Sequence, residues 1–325
     1  MNEIAIIGTG AYGLSMAIAL LKKNKHIKMW VESAERAEWL DKNRENSGII
    51  PGIVIPNEIE FSNDYEYVIK DTEYVFIAVP AKFVNPVTKE LSKYKLKGKH
   101  FAILSKGIEQ NTCEFVHDVF KRHIKTKNVC VISGPSFAID VATNQPVGLS
   151  IASKSKETIK QIKNILESDT LKLRPSNDLI GVELCGSIKN VIAIAAGILE
   201  GLGYVESTRS FLITESLHDI KSLIHGLGGT KKTILSYAGV GDLLLTATSK
   251  KSRNYSFGLL IGQKKLDEAK EYLENTTVEG YYTLKSIYTL IKRKKIKMPI
   301  IDLIYKIILK DENPEKLAEF LIKKI

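Results

Sequence analysis

The sequence predicts an α/β fold: a doubly wound, mostly parallel sheet in the first half, then an all-helical second half. Three observations carry this reading. Short apolar runs bounded by turn residues recur as far as residue 152. A glycine-rich turn joins the first of those runs to a segment with helical periodicity. Beyond residue 178 apolar residues recur at helical spacing almost to the C-terminus. The Leu171–Asp178 stretch, with Arg174-Pro-Ser, is the natural boundary and divides the chain into domains over 1–175 and 176–325.

Residues 3–8 (Glu-Ile-Ala-Ile-Ile-Gly) form the first strand, Gly8-Thr-Gly-Ala-Tyr-Gly13 the turn, and residues 14–23 an amphipathic helix. A GxGxxG is informative only in this strand–turn–helix context. The first glycine permits the tight turn and the second lets backbone approach a pyrophosphate. The third lets the helix pack close to its strand, with the helix N-terminus toward the phosphates. With a second strand at 27–31, the segment reads as a Rossmann-type dinucleotide site built on Gly8, Gly10, Ala11, Tyr12 and Gly13. Glu32 ends the second strand, 19 residues past Gly13. An acid there accepts hydrogen bonds from the ribose hydroxyls and repels a 2′-phosphate, which favours NAD over NADP. The same residue also reads as a plain surface glutamate, and Arg36 is close enough in sequence to hold that phosphate instead.

Residues 43–61, rich in Gly, Pro and Asn, read as an irregular connection. Strands follow at 74–79, 100–104, 128–132 and 147–152, and a helix at 158–166. In an open parallel sheet, ligands sit beyond the carboxyl ends of the strands. Lys106 follows the 100–104 strand; Gly134, Ser136 and Ala138 follow the 128–132 strand. Lys106 and Ser136 are therefore site candidates, beside ordinary turn chemistry.

In the second half, helices are expected near 209–225, 230–237, 253–262, 280–293 and 299–309, with another after Pro314. The first and longest helical run carries the anomaly of the chain. Gly181–Gly197 is apolar on every side yet holds Lys189, followed by Asn190. Lysine is rarely buried without a compensating partner, so it either snorkels to the surface or carries chemistry. Asp242 lies in a glycine-flanked turn ahead of Thr246. Ser252-Arg253-Asn254 opens a helix whose free backbone donors and bidentate guanidinium suit phosphate, although a simple Ser/Asn cap fits equally.

Bulk properties narrow the partners. The net charge is +10, of which +2 falls in residues 1–150 and +8 in 151–325. Without aromatic residues interleaved among the basic ones, this suits a small anionic substrate better than nucleic acid, and Lys292-Arg-Lys-Lys295 reads as a solvated turn. The chain opens directly on a strand, with no room for a signal peptide, and no apolar run reads as long enough to span a bilayer. Cys113, Cys130 and Cys185 lack metal-ligand spacing; no metal is expected, and free thiols point to a reducing cytoplasm.

These motifs coincide in the order of a known family. The chain resembles the bacterial type of NAD(P)-dependent glycerol-3-phosphate dehydrogenase, across nearly its whole length. The matching stretches are Gly8-Thr-Gly-Ala-Tyr-Gly13, Val79-Pro80, Ser105-Lys-Gly-Ile-Glu109, Ser133-Gly-Pro-Ser-Phe-Ala138 and Gly181-Val-Glu-Leu. Ile188-Lys-Asn-Val-Ile-Ala-Ile-Ala-Ala-Gly197, Gly241-Asp-Leu, Ser252-Arg-Asn254 and Val278-Glu-Gly280 complete them.

The resemblance implies reversible hydride transfer between dihydroxyacetone phosphate with NAD(P)H and sn-glycerol 3-phosphate with NAD(P)+, and through it a supply of phospholipid precursor. It implies Lys189 as general acid/base with Asp242 as its partner. Lys106, Gly134, Ser136, Lys189, Asp242, Ser252, Arg253 and Asn254 fall to the substrate, and beside the resemblance Thr246 offers a hydroxyl partner for it. Ala11, Tyr12, Lys106, Ala138, Arg253, Val278 and Glu279 fall to the cofactor. A homodimer is implied on the same basis.

Three positions depart from the family's pattern. Relatives using NADPH often hold a neutral or basic residue where Glu32 stands, Ala247 replaces a common cysteine, and Ile213–His218 replaces a Thr-Arg-Gly segment. Two rival readings compete with this one. A 3-hydroxyisobutyrate- or 6-phosphogluconate-type dehydrogenase is disfavoured by Ser252-Arg-Asn. A non-catalytic dinucleotide sensor is disfavoured by the retained Lys189 and Asp242. None of the six histidines lies in a motif, which disfavours a His-dependent 2-hydroxyacid dehydrogenase.

Overall fold

The computed structural model describes residues 3–323 and divides into two compact units. The first comprises residues up to 106 and 116–179. The second comprises 107–115 and 180 onward.

The first unit is a doubly wound α/β layer. Its elements run β1 (Ile4–Ile7), α1 (Ala11–Leu21), β2 (Ile27–Trp30), α2 (Ala34–Asn43), β3 (Ile59–Ser62), α3 (Tyr65–Ile69), β4 (Tyr74–Ile77) and α4 (Ala81–Leu91). They continue with β5 (His100–Ile103), α5 (Val116–His123), β6 (Val129–Ser133), α6 (Ala138–Ala142), β7 (Val147–Ala152), α7 (Lys156–Leu166) and β8 (Leu171–Ser176). The sheet order is β3-β2-β1-β4-β5-β6-β7-β8, parallel except between β6 and β7. β1, β4, β5 and β6 are buried at every position, because helices cover both faces of a parallel sheet. The order reverses between β1 and β4, the switch point outside whose strand ends ligands bind.

Two stretches of this unit differ from the sequence reading. The 43–61 connection ends in β3, which pairs with β2. Its Ile-Glu-Phe-Ser alternation is only four residues long and sits behind a Pro/Asn-rich lead, so no strand signal rises above the loop signal. The 171–178 boundary holds β8, paired in parallel with β7. β8 buries Leu171 and Leu173 and exposes Lys172 and Arg174, the half-buried pattern of an edge strand, where Pro175 is tolerated.

The second unit is helical: α8 (Leu179–Gly201), α9 (Glu206–Gly226), α10 (Asp242–Ala247), α11 (Arg253–Gly262), α12 (Leu266–Asn275), α13 (Glu279–Arg293), α14 (Pro299–Leu309) and α15 (Lys316–Lys323). α12 falls where no helix was anticipated. The 230–237 helix is a 3₁₀ segment (Lys231–Leu235), followed by a single π turn (Tyr237–Gly241). α8 is this unit's axis. It is long and apolar enough to cross a bilayer, contrary to the expectation from short runs, yet 94% of its most apolar window is buried inside the protein. Residues 107–115 fold with this unit: the Gly107 N–H donates to Ser187 Oγ on α8 at 3.1 Å. Cys113, Cys130 and Cys185 are free and buried, and burial pushes the Cys130 thiol up.

Candidate active site

The first cluster grows out of the β1–α1 turn. Gly8 has φ +112°, and a Cβ at Gly13 would lie 2.4 Å from the Gly8 carbonyl oxygen, so neither position accepts a side chain without strain. Gly10 is the contrast. It is exposed, and a Cβ built there meets no atom within 4 Å. The first turn of α1 holds no acidic residue and no side-chain cap, and the positive end of a helix so built favours an anion. An open backbone approach beside an uncapped helix N-terminus fits a dinucleotide pyrophosphate.

Four sequence-assigned residues gather next to this turn. Tyr12, on the first turn of α1, has its hydroxyl 2.9 Å from Ser136 Oγ. Lys106 Nζ donates to the Gly134 carbonyl at 3.3 Å and lies 5.7 Å from the centre of the Tyr12 ring. Ser136 Oγ also donates to Gly134 O at 3.4 Å. The carboxyl ends of β5 and β6 supply Lys106 and Gly134, and Ala138 opens α6. A Cβ on Gly134 would sit 3.0 Å from Leu149, so the strand pairing itself requires the small residue. Glu32 is exposed just beyond β2. Arg36 is engaged elsewhere: Nη2 donates to Asn46 Oδ1 at 2.9 Å and the guanidinium stands 4.4 Å from the Trp39 ring.

The second cluster lies in the helical unit. Lys189 is 7% exposed and Asp242 0%, and Nζ donates to Asp242 Oδ1 at 2.5 Å. Nζ also donates to Thr246 Oγ1 at 3.0 Å, and that hydroxyl donates to the Asp242 carbonyl at 2.7 Å. Lys189 therefore does not snorkel; it is a buried cation held by a carboxylate and a hydroxyl. The chain delivers Asp242 through the π turn. Gly239 has non-helical φ/ψ there, and a Cβ on it would lie 2.1 Å from Ile234 O.

One residue further along α8, Asn190 organises a third group. Its Nδ2 donates to Glu279 Oε2 at 3.2 Å, and its Oδ1 accepts from Asn254 Nδ2 at 3.1 Å. Asn254 Oδ1 accepts the Gly280 N–H at 2.7 Å, closing the link between α8, α11 and the start of α13. Val278, the N-cap residue of α13, is fully buried.

The Ser252-Arg253-Asn254 segment divides its labour. Ser252 Oγ accepts from the Tyr255 N–H at 3.3 Å, the ordinary N-cap of α11. Asn254 is buried and turned inward, with its oxygen and one Nδ2 hydrogen used. Arg253 is exposed on the first turn of α11. Asn190 carried no sequence assignment. Its only signal was adjacency to Lys189, about 100° away around the helix.

The fold and the glycine turn define the class: a doubly wound α/β protein of the dinucleotide-binding type. Comparison with known proteins narrows it. Residues 3–159 match the model of the NAD-dependent glycerol-3-phosphate dehydrogenase N-terminus, and residues 178–319 that of its C-terminus. The chain belongs to this NAD(P)-dependent dehydrogenase family.

The glycerol-3-phosphate dehydrogenase (NAD(P)+) of Fusobacterium nucleatum subsp. nucleatum is 34% identical over 327 residues, 99% of this chain and 97% of its own. That of Staphylococcus haemolyticus is 34% identical over 320 residues, 97% and 96% of the two chains. The crystal structure of glycerol-3-phosphate dehydrogenase from Coxiella burnetii superposes with a TM-score of 0.93 at 30% identity, covering 99% of this chain and 98% of the other.

Proposed function

We propose that the chain interconverts dihydroxyacetone phosphate plus NAD(P)H and sn-glycerol 3-phosphate plus NAD(P)+, with Lys189 as the general acid/base. The observation that carries this is the buried Lys189–Asp242–Thr246 group, a lysine held by a carboxylate and a hydroxyl within the core of the helical unit. A buried lysine with a carboxylate partner is costly to build for stability alone, because desolvation offsets much of the attraction. A carbonyl reduction uses such a group directly.

The dinucleotide, when bound, supplies the hydride in one direction and accepts it in the other. As the carbonyl carbon is reduced, the C=O π pair moves onto oxygen, and Lys189 Nζ gives that oxygen its proton. In the reverse direction neutral Lys189 takes the hydroxyl proton. Asp242 and Thr246 hold the ammonium in place, and general acid help of this kind is worth about 10²–10⁴-fold.

Arg253 and Asn254 hold the substrate phosphate, with Ser252 fixing the helix end; Arg253 supplies the bidentate charge. Lys106, Gly134 and Ser136 are further substrate contacts. Gly8, Gly10, Ala11, Tyr12, Gly13, Glu32, Lys106, Ala138, Arg253, Val278 and Glu279 hold the cofactor, with Glu32 favouring NADH. Domains over 1–175 and 176–325, a homodimeric state and a role in phospholipid precursor supply complete the reading, supported by the family.

The direct test is oxidation of NADH, then of NADPH, with dihydroxyacetone phosphate as acceptor. Arg253→Ala should chiefly raise KM for dihydroxyacetone phosphate; an effect confined to cofactor affinity would contradict the phosphate role.

A further inference from the structure

Glu200, in the last turn of α8, has no part in the reaction described above, yet three elements converge on it. Its Oε1 accepts from Lys250 Nζ at 2.9 Å. Its Oε2 accepts the Tyr255 hydroxyl hydrogen bond and pairs with Arg209 Nη1 at 3.2 Å. Lys250 precedes Ser252-Arg253-Asn254 and Tyr255 follows it, so one carboxylate grips the segment from both sides. Arg209, on α9, anchors that carboxylate in turn.

The grip acts on a helix already pressed against α8. A Cβ on Gly197 would lie 2.1 Å from Tyr255 O, and one on Gly258 2.0 Å from Ile194 O. The same holds one turn on, for Gly201 against Leu259 O at 2.4 Å and Gly262 against Ile198 O at 2.2 Å. α11 thus meets the last two turns of α8 backbone to backbone, and the Glu200 contacts fix the end of α11 that carries Arg253. Tyr255 is 1% exposed, so its hydroxyl has no ready alternative partner in water. Burial works to raise the Glu200 carboxyl, but the hydrogen bonds from Tyr255 and Lys250 outweigh it and hold it below its usual range. Burial and the same hydrogen bond push the Tyr255 hydroxyl up, so the pair stays a phenol donating to a carboxylate.

We propose that Glu200 is a positioning residue of the phosphate site: by holding Lys250 and Tyr255 it sets where Arg253 stands. This rests on the assignment of Arg253 to the substrate phosphate. Weakening the charge-assisted hydrogen bonds that Arg253 gives the phosphate costs about tenfold or more in affinity.

The experiment measures KM for dihydroxyacetone phosphate, kcat, the Kd of NADH, and the competitive Ki of inorganic phosphate. The variants are Glu200→Ala, Glu200→Gln, Tyr255→Phe and Arg253→Ala. Glu200→Ala and Tyr255→Phe should raise KM and the phosphate Ki together, by about tenfold or more. kcat should stay within about twofold, and because Arg253 also borders the cofactor, NADH affinity should fall by less than the phosphate Ki rises. Glu200→Gln, which keeps an acceptor for Tyr255, should recover most of the loss. Tyr255→Phe removes one hydroxyl and keeps the ring, so it folds even where Glu200→Ala does not. Unchanged KM and phosphate Ki in folded Tyr255→Phe overturn the proposal, as does a loss confined to kcat. Arg253→Ala separates the two readings. An unchanged phosphate Ki there removes the phosphate assignment and this inference with it. A raised Ki there beside unchanged values in Tyr255→Phe and Glu200→Ala overturns this inference alone.

Discussion

The β1–α1 turn of the first unit and the Lys189 group of the second are built in opposite ways. The turn is made of backbone: Gly8 at φ +112°, Gly10 with open space above it, Gly13 against the Gly8 carbonyl. Its parts lie within six residues of one another. The Lys189 group is made of side chains from separate helices, with Asp242 53 residues away from Lys189 and Glu279 89 residues away from Asn190. A backbone site depends on local conformation, and substitution harms it by steric intrusion. A side-chain site depends on packing that brings distant segments together, and substitution harms it by leaving a buried partner unpaired.

The sharpest way to break this contrast is at Lys189. Lys189→Ala should lower kcat by at least about a hundredfold while NADH affinity, followed by fluorescence titration, is retained. Because the change removes the cation beside the fully buried Asp242 carboxylate, it should also destabilise the protein by about 3–5 kcal/mol. The double variant Lys189→Met/Asp242→Asn should recover part of that stability and none of the turnover. Unchanged turnover in Lys189→Ala would sink the catalytic assignment.

At the glycine turn, two alanines should behave differently. Gly13→Ala forces a methyl group onto the Gly8 carbonyl and should lower stability by about 1–3 kcal/mol, read as a drop in Tm. Gly10→Ala meets no protein atom, so Tm should hold while NADH affinity falls. Equal behaviour of the two would erase the distinction between a glycine needed by the fold and one needed by the ligand.

The smallest effect is expected at Glu32, which is exposed just beyond β2. Glu32→Ser should raise the NADPH-to-NADH ratio of kcat/KM by a few-fold, on the order of 1 kcal/mol for one removed charge interaction. No shift in that ratio would take Glu32 out of cofactor choice. Arg36, already held by Asn46 and Trp39, should leave the ratio unchanged when replaced by Lys.

Legibility followed the same division. The central strands were readable because burial on both faces writes them as unbroken apolar runs, and α11 and α14 because capping and Pro299 mark their starts. β3 and β8 were not, because these edge strands are half polar, and their pairing is decided by neighbours rather than by their own sequence. α12 was missed for a related reason. Leu266–Asn275 exposes most of its surface, buries only Ala269 and lacks a side-chain cap, so its short Leu266–Ala269–Leu273 stripe has no marked start.

By itself the sequence determined the sheet-then-helices order, the glycine turn and the presence of a lysine where a core helix should hold none. Those are properties of adjacent residues: periodicity, backbone freedom and a charge out of place. Only the tertiary structure decided what that lysine meets, that Asn254 turns inward while Arg253 stays exposed, and that Asn190 and Glu200 tie distant helices together. Such pairings depend on which helix faces cross. Crossing is set by packing, here by glycines that let α8 and α11 touch, and no stretch of chain encodes it alone.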